Sequence, residues 1–200
     1  MKDTESLGTV SVIGPRVMLR SFRPTDAEIL QELERRNRYA FAAVMPPRDD
    51  DYFTLRAAAR RIERDQALWR ADQAYAFAIV FEGQLVGRVA LSNVVRGAWQ
   101  NATLGYWVDV PFQRQGLATE AVSGVVLAAF RHMALHRLQA AVMPRNLASI
   151  AVVRRCGFYM EGLAPKYLNI HGKWEDHYIF SRTCEDYHPP AGFALELSAP

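Results

Sequence analysis

Hydrophobic positions change period several times along the chain, and each change marks an element. Val17-Met18-Leu19-Arg20-Ser21-Phe22 reads as a first strand. Thr25 and Glu28 stand at the Ser/Thr-x-x-Glu spacing of a capping box, predicting a helix to about Arg38, and Pro46-Pro47 with Asp49-Asp50-Asp51 break it. A second helix follows, with Leu55, Ala59, Ile62 and Trp69 on one side and arginines on the other. Tyr75 to Phe81 is continuously apolar, as in a central strand, and Glu82-Gly83 turns it into Gln84 to Leu91, where Leu85, Gly87, Val89 and Leu91 alternate. Leu104, Tyr106, Val108 and Val110 alternate as the next strand, after which Val122, Val125, Val126, Ala129 and Met133 share a helical face. Leu138, Ala140 and Val142 mark a strand ending at Met143-Pro144, and a hairpin spans about Phe158 to Met160 and Trp174 to Ser181. Strands that first meander and then alternate with helices predict an α/β chain of the α+β type, with a mixed sheet and helices on both faces. The tail from Cys184, with Pro189-Pro190 before Gly192 to Leu197, is free to pair along an edge or to stay mobile.

The most informative segment is Gln113-Arg114-Gln115-Gly116-Leu117-Ala118-Thr119-Glu120-Ala121, where the strand pattern passes into the helix pattern through a short glycine turn. Unsatisfied N–H donors and the positive end of the helix dipole converge at such a corner. Gly116 lets a ligand approach the main chain with no Cβ in the way. A pyrophosphate is the natural guest. The Gly-Lys-Ser/Thr ending of a P-loop is absent here, as is the Gly-x-Gly-x-x-Gly of a dinucleotide fold with its acidic residue.

Written as Gln/Arg-x-x-Gly-x-Gly/Ala, the turn resembles the signature of the GCN5-related N-acetyltransferases, the GNAT family. About thirty residues on, Asn146-Leu147-Ala148-Ser149 leads to Gly157-Phe158 and is similar to that family's Asn-x-x-Ser and Gly-Phe pair. Local physics reads a short helix there, with Asn146 as N-cap, Ser149 in the first turn and Gly157 as the stop. Leu91 to Gly97, Leu104-Gly105-Tyr106-Trp107 and Tyr167 to His177 together resemble the RimJ branch of ribosomal-protein-alanine N-acetyltransferases, over roughly Arg16 to Thr183. The resemblance implies one acetyltransferase domain at about 16–183 within a single-domain chain of 1–200, followed by a tail at 184–200. It also implies a mostly antiparallel sheet of six to seven strands, with a splayed strand pair forming the cleft for acetyl-CoA.

Charge and composition narrow the class without redirecting it. A formal charge of +3 in 200 residues is mildly basic and spread among acids, as from Arg56 to Arg70, so no nucleic-acid binding is expected. A basic acceptor would favour an acidic mouth, for which Asp49-Asp50-Asp51 and Glu175-Asp176 are candidates. The polar start Met1-Lys2-Asp3-Thr4-Glu5 has no apolar run behind it. Ala121 to Phe130, the longest apolar stretch, is far below the roughly 20 residues needed to cross a bilayer. Cys156 and Cys184 read as reduced thiols. A cytoplasmic protein, monomer or dimer, with no membrane partner follows as the expectation.

Transfer to an amine needs a neutral nucleophile, a stabilised oxyanion and a proton for the departing thiolate. By resemblance, a backbone N–H of the splayed strand meets the oxyanion, and Trp107, Val108 and Asp109 lie along the pantetheine arm. Gln113, Arg114, Gln115, Gly116, Leu117, Ala118 and Thr119 would hold the pyrophosphate, with Asn146 and Ser149 completing the coenzyme site. Ser149 has two roles open to it, general acid or coenzyme binding with first-turn capping; Tyr167 is an alternative acid. Some relatives carry a carboxylate just before the Tyr-Leu-Asn segment, where this chain has Lys166; Glu175 and Asp176 are possible replacements as base. His132 and His136 are four apart, as in zinc helices, but the glutamate of His-Glu-x-x-His is missing and no third ligand is evident, so no metal is expected. The acceptor is expected to be a protein N-terminus, with a small amine such as a polyamine, amino acid or antibiotic as the alternative. A non-catalytic acyl-CoA-binding module is the third reading.

Overall fold

The computed structural model describes residues 9–185 and 187–197; Met1 to Glu5 lie outside the described residues. The strands are β1 (Val10–Ile13), β2 (Val17–Ser21), β3 (Tyr75–Phe81), β4 (Gln84–Val95), β5 (Asn101–Val108), β6 (Arg137–Val142), β7 (Tyr159–Ile170), β8 (Lys173–Thr183) and β9 (Ala194–Leu197). The α-helices are α1 (Ala27–Ala42), α2 (Leu55–Arg70), α3 (Leu117–Arg131) and α4 (Leu147–Arg155). Among the described residues the nine strands form one sheet in the order β7-β8-β6-β5-β4-β3-β2-β1-β9. Only β5 and β6 run parallel.

The sheet exceeds the expected six to seven strands because β1 and β9 add an edge. Val10 and Val12 of β1 are fully buried, and the tail pairs beside them as Val10↔Leu197 through Ile13↔Ala194. The uninterrupted apolar run of β3 serves two cores. Phe77 and Ile79 pack with α3 residues such as Val122 and Val125, while Ala76 and Ala78 lie with Leu30, Leu33 and Ile62 of α1 and α2. Burying each larger aliphatic side chain contributes about 1.5–3 kcal/mol.

Several boundaries differ from the sequence reading, each for a local reason. The expected Thr25–Glu28 box is not used: Thr25 lies in a 3-10 turn, and Asp26 closes back on the Arg23 amide at 2.7 Å while receiving both Arg20 guanidinium nitrogens at 2.7 and 2.9 Å. α1 continues past Arg38 to Ala42, since no helix breaker precedes Pro46. In α2, Thr54 caps the helix, Leu55 is exposed and Ala58 takes the buried position beside Ile62 and Trp69. Val110 leaves β5 for a 3-10 turn with Pro111. The β7–β8 hairpin is far longer than its expected ends, because most of β7 is exposed on both faces and carries no alternation to read. Among the described residues no helix is long and apolar enough to cross a membrane.

Candidate active site

The cleft begins where β5 and β6 part. They pair only through Asn101↔Arg137, Ala102↔Leu138 and Thr103↔Gln139, so the rest of β5 has no ladder on that side. Its other edge stays paired to β4, and closely: a Cβ on Gly87 would lie 2.4 Å from the Trp107 carbonyl oxygen. Backbone donors of β5 therefore face the gap as fixed dipoles, the arrangement that stabilises a developing oxyanion. The gap opens into a cavity of about 600 Å³.

The glycine turn forms one wall. Gly116 is the N-cap of α3 with φ +82°, and Arg114 is also left-handed at +62°, so two amides are turned away from ordinary ladder directions before the helix begins. Gln113 uses its Nε2 to donate to the Val108 carbonyl at 2.8 Å, tying the turn to the end of β5. A brace lies behind it. Glu120, buried in the first turn of α3, accepts from the Arg16 amide at 2.6 Å, Arg16 Nε at 3.0 Å and the Val17 amide at 2.9 Å. Arg16 Nη1 in turn donates to the Gln115 carbonyl at 3.0 Å.

The opposite wall is α4. Asn146 caps it by accepting from the Ser149 amide at 3.1 Å, and Gly157, at φ +75°, ends it. The Ser149 hydroxyl lies 2.7 Å from the Tyr106 hydroxyl, and Tyr106 also donates to the Ser149 carbonyl at 3.2 Å. Burial pushes the Tyr106 hydroxyl well above its ordinary range, so it stays protonated. Cys156 is buried against this wall, its Sγ 3.3 Å from the Thr119 carbonyl, and burial pushes its thiol up as well.

Ten of the expected residues line the cavity: Trp107, Val108, Gln113, Arg114, Gly116, Leu117, Ala118, Thr119, Asn146 and Ser149. Four others do not. Asp109 is fully buried away from it, hydrogen-bonded to both Arg36 Nε at 3.0 Å and Asn37 Nδ2 at 2.7 Å, and so joins α1 to the end of β5. Gln115 spends its side chain on the Pro111 carbonyl at 3.1 Å. Tyr167 sits on β7 with its ring 5.5 Å from that of His177. Glu175 is paired with Arg145 at 2.7 Å and Lys173 at 3.4 Å, and the Arg145 hydrogen bond chiefly holds its carboxyl below the usual range, weakening it as a base. Of the other expected acidic-mouth residues, Asp50 meets Arg38 at 2.7 Å, Asp49 caps a 3-10 turn and Asp176 accepts from the Lys166 amide at 2.8 Å.

Sequence reasoning missed Phe41, Met45 and Arg155, which line the cavity from α1, the loop beyond it and α4. It read Tyr106 as a strand position and as part of the branch-specific Leu104 to Trp107 segment, with no site role. An aromatic hydroxyl on a strand beside the motif turn is the one signal that marked it. A second cavity of about 260 Å³ adjoins across Trp107, Phe41 and Met45, with Tyr52, Phe53 and His171 on its far side.

Comparison with known proteins agrees with this geometry. The family profile described as Acetyltransferase (GNAT) domain matches residues 16–159. "Probable N-acetyltransferase YjcK" of Bacillus subtilis (strain 168) is 39% identical over 170 residues, spanning 84% of this chain and 94% of its own. "[Ribosomal protein uS5]-alanine N-acetyltransferase" of Escherichia coli (strain K12) is 30% identical over 176 residues, spanning 87% and 91%. Mycobacterium smegmatis RimJ, solved in complex with CoA-disulfide, superposes with a TM-score of 0.83 at 30% identity, covering 90% of this chain and 87% of that one. This chain belongs to the GNAT acetyltransferase family, in its RimJ-like branch.

Proposed function

We propose that the protein transfers the acetyl group of acetyl-CoA to the α-amino group of a protein N-terminus, in the first instance that of a ribosomal protein, in the cytoplasm. The observation that carries this reading is the lining of the cleft. Among the described residues that line the 600 Å³ cavity there is no Asp, Glu or His; the adjoining cavity has His171 and Glu34, the latter paired with Arg61. An α-amine, with a pKa of roughly 7.7–8.0, is substantially neutral at cellular pH, whereas a lysine or polyamine near 10.4 needs a strong base. A cleft without such a base favours the first acceptor. The relative of E. coli named for alanine N-acetylation of uS5 supports the same class.

In this reading the amides at the start of α3 and the Arg114 and Arg155 guanidinia receive the pyrophosphate and neighbouring phosphate, where helix dipole and cationic charge add. Val108 and Trp107 lie along the pantetheine arm. The open edge of β5 meets the oxyanion. The Tyr106 and Ser149 hydroxyls, either of which can donate to the other, form a pair that supplies a proton to the leaving thiolate.

The test is acetyl transfer to a library of free-N-terminus peptides, including ribosomal-protein N-termini, with thiol release followed and the acetyl group located by mass spectrometry. Acetyl on the α-amine of small first residues is the expected result. Transfer only to lysine side chains or small amines overturns the acceptor, and acetyl-CoA binding without any transfer overturns the enzyme.

A further inference from the structure

The two histidines at the end of α3 part company. The helix stops at Arg131, and Ala134 adopts a left-handed φ of +50°, so His136 leaves the helix and stands at the entry to β6. His132 turns inward, its Nε2 buried without a hydrogen-bond partner among the described residues. His136 meets Cys184 and Glu185 instead, at the exit of β8.

The main chain sets this meeting. The His136 amide donates to the Gln100 carbonyl at 2.9 Å, and the Cys184 amide donates to the His136 carbonyl at 3.0 Å. The imidazole nitrogen, thiol sulfur and carboxylate oxygen of the three residues lie within 4.8 Å of one another. His136 Nε2 already hydrogen-bonds Glu185 Oε1, so the two ligand atoms share one proton at the position an ion would take.

We propose that His136, Cys184 and Glu185 form a binding site for a divalent transition metal, with zinc as the ion that best suits one nitrogen, one sulfur and one oxygen donor. Magnesium and calcium prefer oxygen donors alone, and a thiolate selects against both. Ligand atoms around a tetrahedral zinc stand about 3.5 Å apart, so on loading the widest separation closes by roughly 1 Å while the hydrogen-bonded His136–Glu185 pair opens to admit the ion. The side chains of His136 and Glu185 are 45% and 56% exposed, and Glu185 is also hydrogen-bonded by the Thr183 side chain and its own backbone, which orient its carboxylate. On binding, the metal displaces the proton between His136 and Glu185, which passes to His136 Nδ1 from a neutral ring or to solvent from an imidazolium, the Cys184 thiol releases its proton to solvent, and water fills the fourth position.

Position defines the role. β6 runs from this trio at Arg137 to Val142, beyond which Asn146 and Ser149 enter the cleft. Six strand residues at about 3.3 Å each separate the two sites, so the metal takes no part in acetyl transfer. It clasps the start of β6 to the segment that leads from β8 toward β9.

Untagged, reduced protein titrated with Co²⁺ should develop thiolate-to-cobalt charge-transfer absorption, displaced by Zn²⁺, and Zn²⁺ should raise the melting temperature. Cys184→Ser should lose the absorption and the thermal shift, and His136→Gln should weaken Co²⁺ binding about tenfold or more. Neither should change the rate of acetyl transfer. Absence of the band from the folded wild-type protein overturns the site, and so does a band that survives Cys184→Ser.

Discussion

Tyr106 Oη stands 2.7 Å from Ser149 Oγ, joining β5 to the first turn of α4 across the cleft. Either hydroxyl can donate to the other, and with Tyr106 as donor the serine proton is left for the cleft. Ser149→Ala is expected to lower kcat by about 100-fold, and Tyr106→Phe by about tenfold, with acetyl-CoA affinity unchanged in both. Because the two act in series, the double variant should be no slower than Ser149→Ala alone. Steady-state kinetics with calorimetric coenzyme binding decides it; normal kcat with weakened affinity would return Ser149 to a binding role only.

Gly116→Glu should abolish coenzyme binding while the fold persists. The side chain sets a carboxylate at the helix N-terminus where phosphate oxygens are expected, and the residue must hold φ +82°, costing roughly 1–2 kcal/mol for any L side chain. Circular dichroism and isothermal titration together give the answer, and retained affinity in the folded variant counts against the assignment of the turn.

Glu120→Gln attacks the brace rather than the ligand. Gln can still accept from the Arg16 and Val17 amides, but the charge that holds the Arg16 guanidinium over the Gln115 carbonyl is gone. We expect a loss of about 1–3 kcal/mol in denaturant unfolding and a several-fold rise in KM for acetyl-CoA with little change in kcat. An unchanged KM would mean that the turn keeps its shape unaided.

Asp26 makes part of the stability acid-sensitive. Burial opposes its ionisation, but the hydrogen bonds from Arg20 and from the Arg23 amide prevail and hold the carboxyl below its ordinary 3.8. The unfolded chain therefore takes up this proton first as pH falls. The contribution is fully present above 3.8 and is lost as pH drops through the lower folded value. Asp26→Asn should flatten the fall in unfolding free energy between about pH 5 and pH 2, measured by urea titration at each pH. A slope equal to that of the wild type would show that Arg20 contributes nothing through this residue.

The features visible in the sequence are those whose chemistry is local. Gly116 and Gly157 mark left-handed corners, Asn146 reaches a backbone amide three residues away, and the alternation of β5 is written within eight residues. What escaped depends on side chains brought together from afar: Tyr106 and Ser149 are 43 positions apart, Arg36 and Asp109 are 73 apart, and Val17 and Glu120 are 103 apart. Asp109 shows the difference well. Its place at the end of a cleft strand resembles a ligand contact, yet Arg36 and Asn37 from another layer claim its carboxylate. Tyr167 and Glu175 failed to reach the cleft for a related reason, because the length and partners of the β7–β8 hairpin are set by pairing and not by periodicity.

The pairing of β1 with β9 gives this protein a late step in its own synthesis. Val10 and Val12 contribute to the core that α3 covers, but the strand that shields their outer edge includes Leu195 and Leu197. That corner cannot finish until β9 has left the ribosome. A fragment trimmed to 16–183 would omit both strands, leave β2 as a bare edge open to pairing with other chains, and uncover part of α3.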